Sequence, residues 1–112
     1  MSIGTTLPTV TDATDPVEQR FHRLAAEWKK EARYLSNTAQ MALLKPYQRI
    51  IGMGMPVVPL ILRELQREPN HWFWALEAIT EDNPVPPETA GNVRLTAEAW
   101  ITWGRQHGLI ES

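Results

Sequence analysis

The sequence predicts an all-α fold, a compact bundle of about five helices around a central antiparallel hairpin. Apolar residues recur in steps of three and four along Val57, Val58, Leu60, Ile61, Leu62 and Leu65, and again along Trp72, Phe73, Leu76 and Ile79. That spacing belongs to helices that each bury one broad face. Pro69 and Asn70 between the two runs leave a joint too short for anything but an antiparallel return. No stretch shows the alternation of a half-buried strand.

A chain of 112 residues with five tryptophans can build one modest core without disulfides. Cysteine is absent, which excludes a disulfide scaffold, a thiol nucleophile and thiolate zinc sites. Residues 1–14, rich in threonine and small side chains around Pro8, read as a flexible arm in which Ile3, Leu7 and Val10 offer an alternative groove-binding strip. Residues 15–112 read as a single all-helical domain. The start lacks the basic and apolar regions of a signal peptide, and the longest apolar stretch, near Val57 to Leu62, is far short of a membrane span. A soluble cytoplasmic protein with no membrane association is the expectation.

The first helix is expected from Pro16 to about Leu35, with Asp15 as its cap, Glu18 in capping-box position and a buried stripe of Val17, Phe21, Leu24, Ala25, Trp28, Ala32 and Leu35. A second helix from about Thr38 is interrupted or bent at Pro46 and stopped at Gly52. In the GMGMP segment one glycine is expected in a left-handed conformation, the other allowing close helix packing; a phosphate loop is disfavoured because no lysine followed by serine or threonine comes after it. The hairpin helices then run from Pro56 to Glu68 and, capped by Asn70, from His71 to Thr80. The acidic, proline-rich segment Glu81 to Glu88 forms a stiff crossing. The last helix runs from Thr89 or Asn92 to His107, with Val93, Ala97, Trp100, Ile101 and Gly104 on one face and Gly108 as its C-cap.

Read together, Ile50 to Pro84 resembles one unit of the HEAT-like helical repeats. A glycine precedes a helix with Val58, Pro59, Leu60, Leu62 and Leu65, and Trp74, Ala75, Leu76 and Ile79 follow on a second helix. The wider pattern, YQRIIGMG through PLILREL to HWFWALEAIT and NPVPPE, is similar to that of small bacterial all-helical proteins. The resemblance implies one intact domain with no catalytic residue to carry over, and, since HEAT-like units act as binding surfaces, a partner-binding role by analogy.

Candidate chemistry is sparse. His22, His71 and His107 match no metal-ligand spacing, and Glu77, Glu81 and Asp82 lack the opposing carboxylate that acid–base work needs. No serine stands in a nucleophile elbow. No enzyme, metal or cofactor is therefore expected. The leading expectation is a small protein-binding module, an adaptor or inhibitory, antitoxin-like partner of a larger bacterial protein, with a homodimer also compatible. Its candidate contact residues are Trp72, Trp74 and Trp103, with Arg63 and Arg67 one turn apart. For Trp74 and Trp103 the competing expectation is packing of the proline segment onto the domain. Charge supplies the alternative function: Arg20, Arg23, Lys29, Lys30, Arg33, Lys45 and Arg49 stand against only Glu27 and Glu31 in that span, a basic face that could bind nucleic acid despite a formal net charge of -2.

Overall fold

A computed structural model describes residues 16–69 and 71–111. The segment read as an arm and the caps assigned to Asp15 and Asn70 lie outside the described residues. The described residues form six α-helices, with no strand: α1 (Pro16–Ala32), α2 (Thr38–Leu43), α3 (Lys45–Gly52), α4 (Val58–Arg67), α5 (Phe73–Thr80) and α6 (Val93–Gln106). Short 3₁₀ turns occupy Met55–Val57 and Pro87–Thr89.

The helix count exceeds the expected five because the second helix is divided at Leu44. Pro46 has no N–H for the carbonyl of Ala42, and its ring would crowd that carbonyl in a continuous helix. Leu44 instead adopts extended angles (φ -62°, ψ 144°), and the freed Ala42 carbonyl accepts a hydrogen bond from Gln48 Nε2 at 2.7 Å. Helix α1 ends at Ala32, short of Leu35, because Asn37 must be extended to cap α2. Its Oδ1 accepts from the backbone of Ala39 at 2.8 Å and Gln40 at 3.3 Å. Of the two glycines in GMGMP, Gly54 takes the positive φ, at +75°. Gly52 has open space where a Cβ would stand, so it serves no close packing.

Helix α6 starts at Asn92, whose Oδ1 accepts from Leu95 N at 2.9 Å. It ends as the sequence requires: with Gly108 at φ +69°, Leu109 N donates to Gly104 O at 2.9 Å and Gly108 N to Arg105 O at 3.1 Å. Ile110 folds back over Gly104, where a Cβ would come 3.3 Å from Ile110 Cγ1 and 2.6 Å from Leu62 Cδ1. The close approach of α4 and α6 therefore runs through Gly104. The buried face of α6 is Thr96, Ala97, Trp100, Trp103 and Gly104; Val93, expected on it, is exposed.

Packing is led by α1 against α3, α3 against α5, and α4 against α6, while the two hairpin helices α4 and α5 meet over a smaller area. One aromatic cluster holds the first group together. Trp72, just before α5, lies parallel to Tyr47 with ring centroids 5.3 Å apart. It also contacts Trp28 at 4.6 Å and Phe21 at 5.8 Å. Each polar atom of Tyr47 and Trp28 has a use: Trp28 Nε1 donates to Met41 O at 2.8 Å, and the Tyr47 hydroxyl donates to His71 O at 2.9 Å and accepts from Ala75 N at 3.0 Å. Burial, above all, raises the Tyr47 phenol well beyond its ordinary value, so the hydroxyl stays protonated and can serve both partners.

A cleft at the start of helix α5

The five tryptophans divide sharply. Trp28, Trp72, Trp100 and Trp103 are all buried, whereas Trp74 keeps 52% of its surface. The division follows from where α5 begins. The sequence suggests a start at His71, but the first helical residue is Phe73, with Trp72 as the N-cap at φ -92°, ψ 2°. Trp72 precedes the helix in phase with its inner face, four residues before Leu76, whose N–H donates to Trp72 O at 3.1 Å, and it is fully buried. Trp74, Glu77 and Ala78 then fall on the outer face of α5, opposite buried Ala75 and Leu76.

Trp74 forms a wall shared by two depressions. One is a cleft of about 230 Å³ where α2, α5 and α6 all begin, lined by Thr38, His71, Phe73, Trp74, Ala90, Val93 and Thr96. Its lining mixes the apolar Phe73, Trp74, Ala90 and Val93 with the polar Thr38, His71 and Thr96, and the Thr96 hydroxyl donates to Thr89 O at 3.3 Å. The other, about 470 Å³ and shallower, runs along α5 between Trp74, Glu77 and Ala78. No lysine or arginine lines either.

The remaining candidate contact residues are dispersed. Trp72 is fully buried and has no surface to offer a partner, which corrects its place among the contact residues. Trp103 is also buried, and packing of the proline segment explains it: its Nε1–H donates to Asp82 Oδ2 at 2.9 Å, and it lines a groove with Pro84 and Pro86. That hydrogen bond, followed by one from Asn83 N, holds the Asp82 carboxyl below its ordinary value. His107 stacks on the Trp103 ring at 4.3 Å and approaches Trp103 O with Nδ1 at 2.8 Å. Arg63 lines a separate depression with Gln66, Ile110 and Glu111, and Arg67 is engaged with Glu64 at 3.0 Å.

Glu64 is a buried charged residue. It sits almost fully covered on α4 and accepts from Lys29 Nζ on α1 at 2.8 Å as well as from Arg67. Lys29 reaches Glu68 too, at 3.3 Å. Burial works to lower the Lys29 ammonium, but the hydrogen bonds and charges of Glu64 and Glu68 outweigh it and hold the pKa above its ordinary value. Lys29 is therefore committed to the joint between α1 and α4. Arg20, Arg23, Lys30, Arg33, Lys45 and Arg49 remain exposed. On α1 the basic residues share the surface with Glu27 and Glu31, and with Glu18, which pairs with His22 at 3.7 Å.

Among the described residues no group of three histidine or acidic side chains is placed to hold a metal ion, and no helix is long and apolar enough to cross a membrane. No protein family matches the chain, and no curated protein or solved structure matches it.

Proposed function

We propose that this chain is a small non-catalytic protein-binding module, an adaptor or inhibitory partner of a larger bacterial protein in the cytoplasm, which docks through the cleft around Trp74. One observation carries the reading: in a domain that buries four tryptophans, the fifth stands half-exposed at a cleft of mixed polar and apolar lining. A large aromatic side chain costs solvation free energy when left in water, and such rings are enriched among residues that dominate binding interfaces. In this reading α4 and α5 form the HEAT-like hairpin suggested by the sequence, and α5 presents its outer face to the partner.

The test is a pull-down with tagged protein from the native cell, washed with salt and nuclease, comparing the wild type with Trp74→Ala. A stoichiometric protein retained by the wild type and lost by a folded Trp74→Ala variant is the expected result. Equal capture by both, or recovery only of material removed by nuclease, would sink the reading.

A further inference from the structure

The outer face of α5 has a charge pattern that the fold itself does not use. Glu77, Ala78 and Glu81 stand three, four and seven residues beyond Trp74, and all four are exposed. They form a continuous strip in which each carboxylate lies one further turn, about 5 Å, from the indole. From Pro69 to Val93 the chain contains no lysine or arginine, and its charged residues are Glu77, Glu81, Asp82 and Glu88. Neither Glu77 nor Glu81 has an ion-pair partner among the described residues.

Helix energetics makes these acids expensive where they stand. The last turn of α5 contains no basic residue, so Glu77 and Glu81 approach the negative end of the helix dipole without compensation. Glu81 moreover occupies the left-handed region at φ 57°, the only non-glycine residue described there; glycine would take that position without a steric penalty. Local choices that conflict with the fold concentrate at functional surfaces.

Resting on the binding role proposed above, we propose that the partner presents a basic amphipathic segment: one large apolar side chain for the cleft beside Phe73 and Val93, followed at successive helical turns by arginine or lysine. The first cation lies over the Trp74 ring and against Glu77, where the π-face and the carboxylate both attract it. The second meets Glu81. Such a cation also relieves the repulsion between the acids and the dipole. A second copy of this chain is the less suitable occupant. Its nearest equivalent is exposed Tyr34 beside Lys30 and Arg33, and pairing two unlike faces is a heterologous contact that propagates unless it closes into a ring.

The experiment is selection from a phage-displayed library of random peptides about four helical turns long, on immobilised wild-type protein with counter-selection on Trp74→Ala. Circular dichroism and thermal unfolding first establish that each variant is folded. Enriched peptides are expected to place lysine or arginine one and two turns from an apolar anchor. Their affinity, read by fluorescence anisotropy, is expected to fall about 30-fold with Trp74→Ala and about 3- to 10-fold with the surface variant Glu77→Gln/Glu81→Gln, and to weaken as salt is raised. Neutral or acidic enriched peptides, or affinity unchanged in Glu77→Gln/Glu81→Gln, would overturn the basic-segment inference while leaving the binding role standing. No enrichment dependent on Trp74 would overturn both. Sedimentation showing wild-type self-association that Trp74→Ala abolishes would assign the cleft to a second copy and overturn the inference in favour of that occupant.

Discussion

Trp72 and Trp74 are two residues apart and belong to opposite worlds. On the inner side of α5, Trp72, Ala75 and Leu76 have no accessible surface, and the Tyr47 hydroxyl stitches the helix start to α3 through His71 and Ala75. On the outer side, Glu77, Ala78 and Glu81 are exposed and Trp74 is half covered, at the edge of the cleft. The inner face shows what the fold needs, namely area removed from water, with the Tyr47 hydroxyl answering the His71 carbonyl and the Ala75 amide while Trp72 Nε1 stays buried without a partner among the described residues. The outer face carries a ring of the same chemistry with no comparable structural return. An identical residue type can therefore serve stability at one position and be free for recognition at another, and only its surroundings distinguish the two.

The largest expected effect comes from truncating the inner ring. Trp72→Ala removes the centre of the cluster of Phe21, Trp28 and Tyr47 and should cost about 3–5 kcal/mol in urea or thermal unfolding, enough to unfold much of a domain this size. Trp74→Ala should change stability by less than about 1 kcal/mol. If the two losses were comparable, the distinction between the faces would collapse and Trp74 would count as a packing residue.

Tyr47→Phe sharpens the comparison by keeping the ring and deleting the hydroxyl. The stacked geometry with Trp72 survives, but the Ala75 amide and the His71 carbonyl lose a shared partner. An unsatisfied buried group costs about 1–3 kcal/mol; hydrogen exchange should show the Ala75 amide losing protection even where the amides of α1 and α3 keep theirs. An unchanged unfolding midpoint would mean that water replaces the hydroxyl.

How far the sequence disclosed these features depends on whether each is local. Caps and stops are local chemistry, so Asn37, Pro46, Asn92 and Gly108 are readable, and the Schellman closure at Gly108 appears in full. Gly104 too was placed on the buried side of α6 by periodicity. Trp72 shares the apolar spacing of Leu76 and Ile79, which points inward, but its choice between core and contact surface is not readable, because its partner Tyr47 is 25 positions away in the chain. Glu64 was equally opaque. It stands on α4 between Arg63 and Arg67, the local pattern of an exposed charged face, but Lys29, supplied by α1, draws it inward. The cleft shares this character, being assembled from the first turns of three helices distant in sequence.

A smaller effect is expected at the outer end of α5. Glu81→Gly relieves a side chain held at φ 57° and removes a carboxylate from the negative end of the helix. The strain term alone is about 1 kcal/mol, partly offset by the greater flexibility of glycine in the unfolded chain, so a rise in thermal midpoint of a few degrees is expected. A fall would mean that Glu81 has a structural partner and that the outer face is less idle than its contacts show.

The smallest effect concerns the segment leading from that face back to the core. Asp82 is exposed, yet its carboxyl is held below the ordinary value of 3.8 first by the Trp103 indole N–H and then by the Asn83 amide. A carboxyl whose folded pKa is depressed adds stability that is present above its unfolded pKa and is lost as pH falls through the folded one. The wild type should therefore lose a small increment of stability on acidification below about pH 4, together with a change in Trp103 fluorescence as the indole loses an ionised acceptor. Asp82→Asn keeps an acceptor oxygen but cannot titrate, so the difference between wild type and variant should be pH-independent above that range and shrink below it. If the two acid limbs run parallel instead, the Asp82 carboxylate does not tether the proline segment, and the ring of Trp103 alone holds that segment against α6.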